Sequence, residues 1–93
     1  MGRPLSVSEV RFTRAPQRLV PTGLLGRASF VIDGRLRVDG VSVRRTRSGR
    51  LALSYPVRDD GVGRRWEYLR PLDDHTRREL ERQVLEQLGE TAS

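Results

Sequence analysis

Apolar and polar residues alternate with a period of two through several stretches between Val7 and Tyr55, and a spacing of three to four takes over beyond Pro71. The first rhythm belongs to strands with one buried face, the second to an amphipathic helix. Val7 to Arg14 (VSEVRFTR) reads as the first strand, with Val10 and Phe12 on one face and Arg11 on the other. Leu24 to Ile32 reads as the second. Leu24, Gly26, Ala28, Phe30 and Ile32 share the parity expected to face the core, and Leu25, Arg27, Ser29 and Val31 share the other. Pro16, Pro21 and Gly23 mark the connection between them as a loop.

Asp33-Gly34 then separates two apolar-patterned runs. Both residues tolerate positive φ, so the pair predicts a type I′ hairpin turn, whose twist matches that of its strands. In the third strand Leu36 and Val38 share one parity, and Val41 and Val43 the other. One inserted residue at Asp39-Gly40 accounts for the switch, and a β-bulge is such an insertion. A second turn there would leave only four residues in the preceding strand, so the bulge is preferred. Arg47-Ser48-Gly49 signals the next turn. Leu51, Leu53 and Tyr55 then alternate with Arg50, Ala52 and Ser54 in a fourth strand, which Pro56 ends.

Val57 to Arg64 (VRDDGVGR) is rich in glycine and aspartate and reads as a loop. Arg65 to Arg70 (RWEYLR) reads as a fifth strand with Trp66 and Tyr68 on one side. A helix follows: Asp73 or Asp74 caps it, Leu80, Val84, Leu85 and Leu88 form its apolar stripe, and Gly89 is expected to stop it. Arg77 with Glu81, Glu79 with Arg82, and Arg82 with Glu86 are spaced to pair along its surface. The expected fold class is α+β, an antiparallel meander of about five strands followed by one C-terminal helix. Residues 7–89 form the domain, with a flexible leader at 1–6 and a frayed tail at 90–93. Apolar residues make up only 35% of the chain, and a core this thin points to a homodimer.

Charge changes this picture more than composition does. All eighteen basic residues are arginine. Residues 1–72 hold fifteen of them against six acids, or +9, while residues 73–93 hold three against six, or −3. The basic character therefore lies with the strands. Guanidinium suits bidentate phosphate recognition, and a positive surface of this size favours a polyanion. Arg44, Arg45, Arg47 and Arg50 crowd one turn, and Arg58, Arg64 and Arg65 flank the next loop. If the fourth and fifth strands are neighbours, both groups lie on the rim of one sheet. Trp66 and Tyr68 beside them suit either base stacking or a place in the core or a dimer interface.

Catalytic chemistry has little to build on. The chain has no cysteine, which removes disulfides, thiolate metal sites and cysteine nucleophiles. His75 is the single histidine and lacks partners at metal-ligand spacing. Asp59-Asp60 before a glycine reads as a turn rather than a carboxylate pair, and Gly61-Val62-Gly63 lacks the strand and helix that frame a nucleotide loop. No apolar run reaches the length of a membrane span. The expectation is a non-enzymatic protein with no cofactor and no metal.

The order of these motifs resembles the septation protein, or stage V sporulation protein G, family of small bacterial proteins. The resemblance rests on Val10-Arg11, Ala28-Ser29-Phe30 with Ile32-Asp33, and the series Leu36, Val38, Val41 and Val43 with its parity switch. It continues through Gly49, Tyr55-Pro56, Arg58, Gly63, Arg70-Pro71-Leu72 and Thr76-Arg77 to Leu80, Val84 and Leu85, covering about residues 7 to 88. It implies an α+β homodimer that binds DNA, and also RNA, as a cytoplasmic regulator, with the basic residue after the fourth-strand proline, here Arg58, at the nucleic acid. The chain departs from the family in a longer first loop, in Asp59 where a second basic residue is usual, and in Trp66 where an arginine is usual. The expected nucleic-acid-binding set is Arg44, Arg45, Arg47, Arg50, Arg58, Arg64 and Arg65. The rival expectation is an interaction module in which the same arginines meet an acidic protein and Trp66 and Tyr68 anchor it.

Overall fold

A computed structural model describes residues 5–59, 61–67 and 69–92. Four strands, β1 (Val7–Arg14), β2 (Leu24–Ile32), β3 (Leu36–Arg45) and β4 (Leu51–Ser54), form an antiparallel sheet in the order β1-β2-β3-β4. A short 3-10 helix, Gln17–Thr22, lies in the β1–β2 connection. Two further strands, β5 (Val57–Asp59) and β6 (Arg65–Glu67), pair with each other in a second sheet, and α1 (Asp74–Ala92) closes the described fold. The class is α+β, as the patterning predicted. Among the described residues no helix is long and apolar enough to cross a membrane.

The β2–β3 hairpin forms at Asp33-Gly34. Both residues have positive φ, +53° and +65°, and the Arg35 amide donates to the Ile32 carbonyl at 3.0 Å. The bulge also forms where the parity switches. Ala28 pairs with Val41 and Phe30 with Val38, so β3 spends one residue more than β2, and Gly40 takes φ +76°. A second bulge, in β1, went unforeseen: Ser8 pairs with Val31 and Arg11 with Ser29, and the extra residue is accommodated at Glu9, with φ +50°. It returns Val7 to the same face as Val10 and Phe12.

That face is the core. Phe30, Val41 and Val84 are fully buried, and Ala28, Val38, Val43, Leu53, Tyr55 and Leu80 pack around them. Burying a side chain such as Phe30 or Val41 contributes about 1.5–3 kcal/mol. Gly26 is buried in the middle of β2, and a methyl group there would drive into the Phe12 ring and the Thr13 carbonyl. The absence of a side chain at Gly26 therefore lets β1 and Phe12 close over β2.

The helix does more than cover this face. Gln83 accepts from the Val7 amide at 2.8 Å and donates to the Leu5 carbonyl, and Gln87 donates to the Val7 carbonyl at 2.8 Å. At the other edge Glu81 accepts from the Leu53 amide at 3.0 Å. Outward-facing groups of both edge strands are thus occupied by α1, which blunts two edges that would otherwise offer a pairing template. Leu5 and Ser6, assigned to the leader by the sequence, are held in the same way. The Ser6 amide donates to Asp33, and the Asp33 amide to the Ser6 carbonyl.

Four local expectations are corrected. The stretch Val57 to Arg64 is not all loop, because Val57–Asp59 is a strand, and the following strand ends at Glu67 rather than Arg70. The hairpin they form is a sheet of its own, so among the described residues β4 has no neighbour beyond β3. Pro56 between β4 and β5 cannot donate a ladder hydrogen bond, and the chain turns out of the first sheet there. Gly89 does not stop the helix, which runs on to Ala92. Helical geometry costs glycine only about 1 kcal/mol relative to alanine, too little on its own to end a helix.

Candidate nucleic-acid interface

The β3–β4 turn is built by its hydroxyl residues. The Gly49 amide donates to the Thr46 carbonyl at 2.9 Å and the Thr46 amide to the Arg50 carbonyl at 2.8 Å. The Thr46 hydroxyl pairs with Ser48 at 2.9 Å and accepts from the Arg50 amide. Gly49 closes the turn with φ +85°. This frame holds Arg44, Arg45, Arg47 and Arg50, all exposed, around one tip. The Arg45 amide donates to the Gly23 carbonyl at 2.7 Å, so the 3-10 helix docks beside the turn. A cleft of about 430 Å³ lies between them, bordered by Arg45, Arg47, Val20 and Thr22.

The β5–β6 hairpin holds the second group. Arg58 stands directly opposite Trp66, and Asp59 opposite Arg65. Asp59 accepts from the Gly61 amide at 2.8 Å, a turn role, while Asp60 lies outside the described residues. Arg58, Arg64 and Arg65 are exposed. Trp66 is 44% exposed and absent from the core, which removes the core reading for it; Tyr68 lies outside the described residues. The two groups do not share a rim as expected. The turn feeds into the start of β4 and the hairpin leaves beyond its end, on a separate sheet.

Arginines elsewhere differ in their partners. Arg77 binds Asp74 at 2.7 Å and Glu81 at 3.0 Å, Arg78 binds Asp74 at 2.8 Å, and Arg82 binds Glu79 and Glu86. All three pairings foreseen from the spacing along the helix are present. Asp73 is the cap, accepting from the Thr76 amide at 2.7 Å. These bonds favour the ionised form of Asp73, Asp74 and Glu79. Thr76 lowers Asp73, Arg77 lowers Asp74, and Arg82, followed by Gln83, holds Glu79 down at about 2. Among the described residues, by contrast, no ion pair engages Arg44, Arg45, Arg47, Arg50, Arg58 or Arg65.

The face of the first sheet that α1 does not cover holds further arginines, Arg11 and Arg27, that sequence reasoning left out of the candidate set, beside Arg44, which it included. Arg11, Arg27 and Arg44 take the parity opposite to the core on three adjacent strands. Between them stand the short side chains of Thr13, Ser29, Ser42, Ala52 and Ser54. Val31 is buried on this side between Ser8 and Arg37, and Arg37 lies 3.9 Å from Glu9. The signal was present in the sequence: these arginines occupy off-core positions of otherwise apolar strands.

No protein-family model matches the chain, and no curated protein matches it in sequence.

Proposed function

We propose that this protein binds nucleic acid, DNA and also RNA, through its exposed arginines and acts as a non-enzymatic, cytoplasmic regulator. One observation carries the reading. Arg44, Arg45, Arg47 and Arg50 crowd a single rigid turn without a carboxylate partner among the described residues, whereas Arg77, Arg78 and Arg82 on the helix are all paired. Uncompensated like charges held together attract a polyanion and release its counterions on binding. Arg58 opposite the exposed Trp66 adds a cation beside an aromatic face, the pairing that single strands use for phosphate and base. The resemblance to the septation and stage V sporulation protein G family supports the same reading. Titrating a labelled duplex and a labelled single strand at two salt concentrations tests it. Micromolar or tighter binding with a clear salt slope is expected, Arg45→Ser/Arg47→Ser/Arg50→Ser weakens it at least about tenfold without lowering the melt, and no binding at low salt refutes the reading.

A homodimer belongs to the same proposal. Val57, Val62, Trp66, Leu69 and Leu72 are exposed in one stretch of chain, with Leu72 at 93%. Apolar exposure of this kind suits a protein contact. It is also the observation that favours the second reading, an interaction module for an acidic partner. Sedimentation at tens of micromolar separates the two, since a dimer is expected and a monomer leaves the patch for another protein.

A further inference from the structure

On the uncovered face of the first sheet, a groove of about 670 Å³ runs between β1, β2 and the 3-10 helix. Thr13, Arg27 and Ser29 form its floor, Leu19 and Leu24 its apolar wall, and Arg11 borders it from β1. Thr13 pairs with Arg27 and Arg11 with Ser29, so the two arginines stand diagonally on neighbouring strands, about 7–8 Å apart at the backbone. Arg14 lines the same groove, and no ion pair or side-chain hydrogen bond engages Arg11, Arg14 or Arg27 among the described residues. Like charges this close repel, and the repulsion is relieved when an anion sits between them.

We propose that this groove is a phosphodiester subsite for single-stranded nucleic acid, an inference that rests on the nucleic-acid reading above and adds to it a second surface. The chemistry matches on both sides. Guanidinium groups take phosphate oxygens in bidentate fashion, and the Thr13 and Ser29 hydroxyls donate to the same oxygens. Leu19 and Leu24 offer an apolar surface to a sugar or to the face of a base. Among the described residues Asp39 is the one carboxylate bordering the groove, from the β3 side, and it turns a phosphate towards β1. A duplex holds its bases inward and offers this groove phosphates alone, whereas a single strand fills both its cationic side and its apolar wall. Two copies of this face repel each other through the same arginines, which argues against a dimer formed across it. The face also adjoins the turn: Arg44 pairs with Leu24 across β2 and β3, so a strand leaving the groove passes directly onto the Arg44–Arg50 cluster.

The test compares Arg11→Ser/Arg27→Ser with Arg45→Ser/Arg47→Ser/Arg50→Ser on a labelled oligouridine and oligothymidine, with thermal melts as the fold control. The groove variant is expected to lose about tenfold in affinity, and its log–log salt slope falls by about 1.4 for two lost phosphate contacts, with an unchanged melt. Amide shifts followed during the same titration should move at Thr13, Arg27 and Ser29. Uridine monophosphate is run alongside: shifts there with the oligomer alone mark a strand-bound phosphodiester, and equal shifts at equal phosphate concentration overturn it in favour of a free-phosphate site. Unchanged affinity of the groove variant, with binding lost in the turn variant, overturns the groove and leaves the nucleic-acid reading intact. Failure of wild-type protein to bind either oligomer at low salt removes both. Shifts at these amides on concentrating the protein without oligomer would assign the face to a second copy instead.

Discussion

The two faces of the four-stranded sheet are made from the same strands, residue by residue in alternation, yet they have little in common. Towards α1 stand Phe30, Val41, Val43 and Val38, buried and closed over by Leu80 and Val84. Away from it stand Arg11, Arg27 and Arg44 among serines and a threonine, with Val31 as the one buried apolar side chain. The first face spends its residues on stability. The second contributes little to it, and so its charges are available to a ligand. Arginine itself follows the same division. On the helix each described arginine has a carboxylate within one turn, and on the sheet face and its turn the cations far outnumber the acids.

The sharpest way to break this contrast is to truncate one apolar residue on each side. Phe30→Ala should cost about 3–5 kcal/mol in urea unfolding, because the ring is fully buried in the core. Val31→Ala, its neighbour on the other face, should cost clearly less, and equal losses would mean that the open face is a second core. Next in size is Gly26→Ala, which forces a methyl group against the Phe12 ring and the Thr13 carbonyl; about 1–3 kcal/mol is expected in the same experiment. A neutral result would show that β1 can shift away from β2 at no cost.

The smallest effect is one of pH. The Glu79 carboxylate, held at about 2 by Arg82 and then Gln83, is a stronger acid in the folded chain than in the unfolded one, where 4.5 is usual. Its contribution is therefore full above that ordinary value and is lost as pH falls through about 2. The melting difference between wild type and Glu79→Gln should accordingly be largest near neutrality and close on acidification. Oligonucleotide affinity of Glu79→Gln at neutral pH should stay unchanged, since the helix lies on the other side of the sheet. A change in affinity would place the helix in the interface and dissolve the division between the faces.

Much of this was legible in the chain. Strand parity separated core from open positions in β2 correctly at Ala28, Phe30, Arg27 and Ser29, and the parity switch located the bulge at Asp39-Gly40. Parity failed at Leu24, expected on the core face, because a register shift before Gly26 turns Leu24 to the open face and Leu25 towards Phe12 and Val43. The bulge at Glu9 was not legible, because a glutamate with φ +50° carries no glycine signal and the local pattern of β1 still looks regular from Val10 onward. Nothing in the sequence marks Gln83, Gln87 or Glu81 as partners of the edge strands. Only their approach to the edge strands makes them caps for Val7 and Leu53. The strand at Arg65 was read from the sequence, but Val57–Asp59 was not, because three residues give too short an alternation, and the pairing of the two with each other carries no local signal.

By itself the sequence determined the parts that depend on neighbours along the chain: strand parity, the Asp33-Gly34 turn, the capped helix and its ion pairs at three and four residues. These follow from backbone periodicity and from side chains within reach of one another. Only the tertiary structure decided which arginines share a surface. It split the expected rim between two sheets, and it folded the 3-10 helix beside β1 and β2 so that Arg11, Arg14 and Arg27 border one groove. Strand partners and the path of a connecting loop are set by burial and closure across the whole chain, and no local pattern carries that information.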